Sequence, residues 1–155
     1  MKLLSQILPP ENVVLDVSVT SKKRALEQVA LLFENNQGLE RANVFDSLFA
    51  RERLGSTGLG HGVAVPHGRI KKTKEPSAAF VRLAEPVAFD APDGQPVDIL
   101  LVIVVPEEAT QQHLDILAEV AQRLSDDSVI SALRTETDAL RVHELLTAKS
   151  TSAAT

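Results

Sequence analysis

Cysteine is absent from this chain of 155 residues. That excludes a disulfide framework, a thiolate metal site and a cysteine nucleophile. No run approaches the roughly 18 apolar residues of a membrane-spanning helix, so direct membrane insertion is not expected. The opening MKLLSQILPP carries one positive charge and too short an apolar stretch for a secretory signal, which makes the cytoplasm the expected compartment. An excess of positive charge is missing too. Lys+Arg number 16 against 21 Asp+Glu, a formal net charge of -5, which argues against general nucleic-acid binding. Glycine is scarce, with 7 residues in all, yet five of them fall within residues 55–68.

What is present is ordinary for a globular protein: 44% hydrophobic and 24% charged residues. The length suits one domain with a single core. We expect that domain over residues 1–148, with 149–155 as a small, polar, disordered tail. Charge is unevenly spread. Arg51, Arg53, Arg69, Lys71, Lys72 and Lys74 face Glu52 alone within residues 51–74, a basic island around the glycine-rich stretch. Taken alone, its 69–74 segment reads equally well as a solvated turn.

Residues 12–19 (NVVLDVSV) read as a strand. Ser21 offers an N-cap, and Ala25, Leu26, Val29, Ala30, Leu32 and Phe33 recur at helical spacing until Gly38. Val44, Phe45, Leu48 and Phe49 mark a second helix that runs to about Leu54 and stops at Gly55. Residues 62–66 read as a buried strand ending at His67. Short strands are expected at 78–83 and 87–89, with turn chemistry at Pro92-Asp93-Gly94. Residues 97–105 form the most hydrophobic run and suit a central strand buried on both faces.

Three helices should follow. Leu114, Leu117, Val120, Ala121 and Leu124 trace the first, Val129, Ile130 and Leu133 a short second, and Leu140, Val142, Leu145 and Leu146 the last, with Thr137 as its cap. Two strand-to-strand connections are too short for crossover helices and require antiparallel pairs. The expected fold is α/β, with a mixed parallel and antiparallel sheet flanked by helices on both faces.

The stretch GSTGLGHGVAVPHG fits no nucleotide motif. Gly55 and Gly60 have the spacing of a P-loop, but His61-Gly62 stand where lysine and a magnesium-binding hydroxyl belong. The dinucleotide fingerprint fails because Gly58-Leu-Gly60 runs into His-Gly-Val and then a strand. Two readings stay open: a loop whose bare amides approach an anion, or glycines that serve turn geometry alone. Ser56 lies outside any Gly-x-Ser-x-Gly elbow, which argues against a serine hydrolase. His61, His67 and His113 lack a recognised metal spacing, so no metal is expected.

His67 stands between proline and glycine at a strand end, where the sheet tethers its backbone while its ring reaches solvent. A neutral imidazole is a competent nucleophile, and at its reference pKa roughly three-quarters of the ring is neutral at pH 7. His113 falls on the stripe His113, Leu117, Val120, Leu124 at the edge of a helix's inward face. It either enters a site beside the sheet or is a half-buried polar residue with its own partner. His143 lacks supporting neighbours and is given no role.

On these residues the chain resembles a known family. Residues 51–68, RERLGSTGLGHGVAVPHG, look like the signature of the mannitol/fructose-type IIA domains of the bacterial phosphoenolpyruvate-dependent phosphotransferase system. Ser21-Lys-Lys-Arg-Ala-Leu-Glu, Pro96-Val-Asp-Ile-Leu and His113-Leu resemble its nitrogen-regulatory branch, and the likeness runs from about Leu3 to Leu146. The resemblance implies a phosphocarrier that takes a phosphoryl group on Nε2 of His67 from a histidine phosphocarrier protein (HPr-like). It implies His113, Arg51 and Thr57 as phosphate-stabilising residues, and no metal or other cofactor. His61 receives no chemical role.

Members that transport sugar pass phosphate to a cysteine in a IIB domain, and this chain has neither the cysteine nor room for that domain. The expected output is therefore regulatory, linked to nitrogen and potassium, with potassium transporters or sensor kinases as possible targets. A stand-alone fructose or mannitol IIA subunit is the alternative within the same chemistry. A binding module that needs no phosphorylation is the alternative outside it, and a zinc hydrolase is the most distant. Whether such a carrier counts as an enzyme is left open.

Overall fold

The computed structural model describes residues 2–108 and 110–148. The expected 149–155 tail lies outside them. Helix α1 (Lys2–Ile7) and a single 3-10 turn at Pro10–Asn12 lead into β1 (Val13–Val17). Helices α2 (Lys22–Gln37) and α3 (Arg41–Leu54) follow, then β2 (Gly58–Gly60), β3 (Val63–Ala64) and β4 (His67–Ile70). The long strands β5 (Ser77–Val87) and β6 (Val97–Pro106) precede α4 (Thr110–Arg123), α5 (Asp127–Thr135) and α6 (Ala139–Thr147).

The sheet runs β1-β5-β6-β3-β2, with β4 also on β6. It is mixed as expected: β5 is antiparallel to β6 and β2 to β3, while β1 lies parallel to β5 and both β3 and β4 lie parallel to β6. Strand β6 is its axis, with β5 on one side and β3 and β4 on the other. Buried residues from Ile99 to Val105 explain its unbroken apolar run, because helices cover both faces. One face packs against α1, α4, α5 and α6 through Ile99, Leu101 and Ile103. The other packs against α2 and α3 through Leu100, Val102 and Val104. The alternation is the strand's own period of two.

Helix α2 begins and ends where the sequence places it. Ser21 Oγ accepts the Arg24 N–H, and Gly38, at φ 70, closes the last turn by donating to Glu34. The last helix is capped one residue later than expected. Asp138, not Thr137, accepts the Leu140 N–H, since a carboxylate is the better acceptor for a helix N-terminus.

Helix α1 was not expected, and six residues are too few to be stable alone. Its Leu4 and the following Leu8 are essentially fully buried, an arrangement worth about 2 kcal/mol per side chain. Glu119 of α4 caps its start by accepting the Leu3 and Leu4 N–H groups at 3.2 and 2.8 Å. Tertiary packing supplies what local periodicity could not show.

Three further departures lie in the sheet. The strand expected at 78–83 runs on to Val87 as β5, with a register irregularity between Arg82 and Val87, and of the strand expected at 87–89 only Val87 is in the sheet. Part of the glycine-rich loop is itself a strand, β2, hairpinned onto β3. The strand expected to end at His67 pauses instead. Val63 and Ala64 pair with Ile99 and Leu100, and after Val65-Pro66 the chain resumes in the same register with His67 opposite Ile103. Proline has no N–H to donate, but the Pro66 carbonyl still accepts from Ile103 at 3.0 Å, so alignment survives the gap.

Candidate functional site: two histidines beside a glycine-rich hairpin

His67 opens β4 at the interruption caused by Pro66 and is half-buried. Its Nδ1 lies 2.8 Å from the Val65 carbonyl oxygen. A carbonyl can only accept, so Nδ1 carries the proton and Nε2 keeps its lone pair. Burial pushes the pKa of the ring below its ordinary value. The Val65 bond opposes that shift, the Arg51 cation adds to it, and the Glu52 charge works against it. A neutral ring with a fixed tautomer and a free Nε2 is a prepared nucleophile.

Gly68 follows for a steric reason. A Cβ there would lie 2.2 Å from Ser47 Oγ and 3.1 Å from Ser47 Cβ. That close approach lets the Ser47 hydroxyl of α3 donate to the Arg69 carbonyl at 2.7 Å, which docks α3 against β4. A side chain at position 68 would separate the helix that carries Arg51 from the strand that carries His67.

The structure brings His113 to His67. The ring centroids are 5.3 Å apart and the planes stand at 88°, an edge-to-face contact. His113 is buried on the inward stripe of α4 with Ile116 and Val120. Its Nδ1 has no hydrogen-bond partner among the described residues. Burial lowers its pKa too, reinforced by the charges of His67 and Arg69. The ring therefore lies against His67, with no hydrogen-bond partner of its own on Nδ1 among the described residues.

Arg51, on the last turn of α3, donates to the Gly55 carbonyl at 2.8 Å, which places its charge over the start of the loop. Thr57 is buried, and its hydroxyl donates to Glu52 Oε2 in a very short contact. Its N–H donates to the same carboxylate, 3.3 and 3.2 Å from the two oxygens. The sequence reading passed over Glu52, counting it only as the lone acid of a basic island. It is buried, with Lys22 Nζ 3.3 Å from Oε1. The signal was present in the spacing Val44, Leu48, Glu52, which puts the carboxylate on the buried stripe of α3.

With Glu52 inside and paired, the surface island is more basic than the sequence sum. Arg53, Arg69, Lys71, Lys72 and Lys74 are exposed, and none forms an ion pair among the described residues. Exposed Leu54 and Leu59 add an apolar element on the glycine-rich side.

His61 acts through its backbone. It sits at φ 57, donates its N–H to Asp93 and accepts from Arg134 at 2.8 Å. Arg134 in turn forms a bidentate pair with Asp98 at 2.8 and 3.2 Å, so the turn between β2 and β3 is held from below. His143 is remote in role: its Nε2 donates to the Leu8 carbonyl and ties α6 to the chain after α1. Among the described residues, no group of three or more His, Cys, Asp or Glu side chains is placed to hold a metal. No described helix is long and apolar enough to cross a membrane.

The family described as "Phosphoenolpyruvate-dependent sugar phosphotransferase system, EIIA 2" matches residues 6–149. The chain belongs to that family. Within it, the nitrogen-regulatory branch stands out. The chain is 42% identical to a "Nitrogen regulatory protein" of Pseudomonas aeruginosa over 144 residues, 92% of this chain and 94% of that one. It superposes on the crystal structure of the nitrogen regulatory protein IIA-Ntr of Neisseria meningitidis with a TM-score of 0.89 and 49% identity, covering 94% of this chain and 100% of that one. The mannitol IIA crystal structure from Escherichia coli gives a TM-score of 0.76 and 26% identity, over 89% and 97% of the two chains. The expected family and fold are both borne out, and together they support a phosphocarrier role in the phosphotransferase system.

Proposed function

We propose that this IIA-type protein accepts a phosphoryl group on Nε2 of His67 from a histidine-phosphorylated carrier protein, and that the phosphorylation state governs its binding to a regulatory target. The observation that carries the first half is the 2.8 Å bond from Nδ1 to the Val65 carbonyl, which leaves Nε2 as the free nucleophile. In the transfer the Nε2–P bond forms as the carrier's N–P bond breaks. The carrier's imidazole leaves with the electron pair, and the His67 Nδ1 proton stays in place. Donor and acceptor are both imidazoles, so the exchange is nearly balanced, and neither nucleotide nor metal enters it.

Charge in the transition state spreads over the three equatorial oxygens, so positioning and electrostatics supply the catalysis. Arg51 contributes a cation beside the loop. His113, whose Nδ1 is unpartnered, is best buried with a bare lone pair there and its proton on Nε2, a donor for a phosphoryl oxygen. The Thr57 hydroxyl is engaged with Glu52 and would have to change partner to donate directly. Phosphate adds up to about -2 of charge and strong acceptor oxygens amid exposed cations. A partner docking on Leu54, Leu59 and that basic rim would register the change, and acidic groups on the carrier would complement the same rim. This docking takes place in the cytoplasm.

A regulatory output, toward targets such as potassium transporters or sensor kinases, is favoured by the nitrogen-regulatory relatives. The test is to charge the protein with phosphoenolpyruvate, the system's first enzyme and its histidine carrier, then compare target affinity with and without phosphate. Equal affinities in the two states would remove the switch and leave a binding module.

A further inference from the structure

Glu52 carries no role in the reading above, although it lies beneath the glycine-rich loop. We infer that Glu52 is a positioning residue for phosphoryl transfer at His67, acting through Thr57 and Val65. This rests on the phosphocarrier reading and assigns a further part of the same site.

The path is continuous. Lys22 Nζ sits 3.3 Å from Oε1 of Glu52, and the Glu52 side chain is 1% exposed. Glu52 accepts both the N–H and the hydroxyl of Thr57. The Thr57 carbonyl accepts the Val65 N–H at 3.0 Å. The Val65 carbonyl then accepts Nδ1 of His67 at 2.8 Å. Both backbone polar groups of Thr57 and of Val65 are thereby used, one toward the carboxylate and one toward the imidazole.

A purely structural purpose accounts poorly for a carboxylate here. An apolar side chain continuing the Val44, Leu48 stripe would hold α3 on the sheet without burying a charge, and buried ion pairs seldom exceed apolar packing in stability. The carboxylate offers what an apolar residue cannot, a fixed acceptor for two donors of one loop residue. Lys22 is itself held, 3.4 Å from Asp90 and 4.8 Å from the Phe89 ring centroid. The anchor therefore joins α2, α3, the glycine-rich loop and the β5–β6 connection.

If Thr57 shifts, the Val65 peptide loses its partner, and the carbonyl that selects the His67 tautomer moves with it. Misplacement of a reacting group by about 1 Å can cost on the order of 100-fold in rate. An indirect effect through two residues should be smaller.

The experiment compares the parent with Glu52→Gln, Glu52→Asp and Thr57→Val. It reads the transfer rate at saturating charged carrier, the apparent KM for that carrier, and the His67 ring tautomer from long-range proton–nitrogen correlations. E52Q keeps the volume but puts an amide donor where an acceptor is needed. It should lose about tenfold in maximal rate, with KM within about twofold, and His67 should populate both tautomers. E52D keeps the charge and should regain part of the rate.

T57V removes one bond of the path from a near-isosteric side chain and should cost about threefold even if E52Q does not fold. A folded E52Q with parental rate and tautomer would overturn the inference, and so would a T57V with parental rate where E52Q is unfolded. A parent that takes no phosphate, yet whose tautomer still depends on Glu52, would overturn the phosphocarrier reading and the transfer role with it.

Discussion

The imidazole of His113 meets that of His67 edge to face, with centroids 5.3 Å apart and planes at 88°. Two elements distant in sequence, β4 and α4, thus supply the two rings of the candidate site. His113→Ala should leave His67 able to take phosphate but change the rate or the lifetime of the phosphohistidine, by roughly 10-fold if a single donor to the phosphoryl group is lost. The time course of phosphate gain and loss at neutral pH checks this. Parental kinetics in both directions would make the contact one of packing alone.

Arg51→Ala should slow phosphorylation far more than Lys72→Ala. Arg51 is partly buried and tied to the Gly55 carbonyl at the head of the loop, while Lys72 is exposed on the turn after β4. A loss of roughly 10- to 100-fold is expected for Arg51 and about twofold or less for Lys72, whose charge is screened by salt. Initial rates with the charged carrier at two ionic strengths separate them. Equal losses would place Arg51 in the general basic field and not in the transition state.

Gly68→Ala should destabilise the fold, because its Cβ would fall 2.2 Å from Ser47 Oγ. A cost of about 1–3 kcal/mol is typical of such overpacking. Ser47→Ala in the same chain removes the oxygen but leaves the Cβ at 3.1 Å, so the double variant should recover part of the loss. Urea unfolding of the parent, both single variants and the double one measures the coupling. Simple additivity of the two substitutions would refute the steric account.

Acid should weaken the fold through the paired histidines. Burial holds both below the ordinary value of 6.5. As pH falls through 6.5, the unfolded chain takes up these protons first, so stability drops until the folded rings titrate as well. Above 6.5 both states hold the rings neutral and this contribution is constant. Ring titration in the folded protein should show both midpoints under 6.5, and the double variant His67→Gln/His113→Gln should lose less stability on acidification. Midpoints at or above 6.5 would contradict the buried, neutral pair.

How far the sequence foretells this architecture varies from one element to another. Helix α2 is legible because Ser21 and Gly38 punctuate a 3.6-residue pattern, and β6 because a strand buried on both faces must be apolar throughout. Both signals are local. The hairpin of β2 and β3 is hidden because glycine has no side chain with which to show a period of two. Helix α1 is hidden because its stability comes from the sheet face and from Glu119, over a hundred residues away.

The candidate site divides along the same line. His67 stands out through its proline and glycine neighbours, and His113 through its place on a helical stripe. Glu52 reads in the sequence as no more than the lone acid of a basic island, and only the fold shows its pairing with Lys22 and Thr57. Asp138 displaced Thr137 as a cap for a different reason: the two capping residues are adjacent, and the carboxylate is the better acceptor.

The most direct measurement is the site of phosphate attachment on the ring. The isotopically labelled protein, charged by its carrier at neutral to alkaline pH, would be read by long-range proton–nitrogen correlation beside His67→Ala. One phosphate on Nε2 of His67, with none on the alanine variant, is the expected result. Attachment through Nδ1, or to a residue other than His67, would contradict the role assigned to the Val65 carbonyl and with it the mechanism.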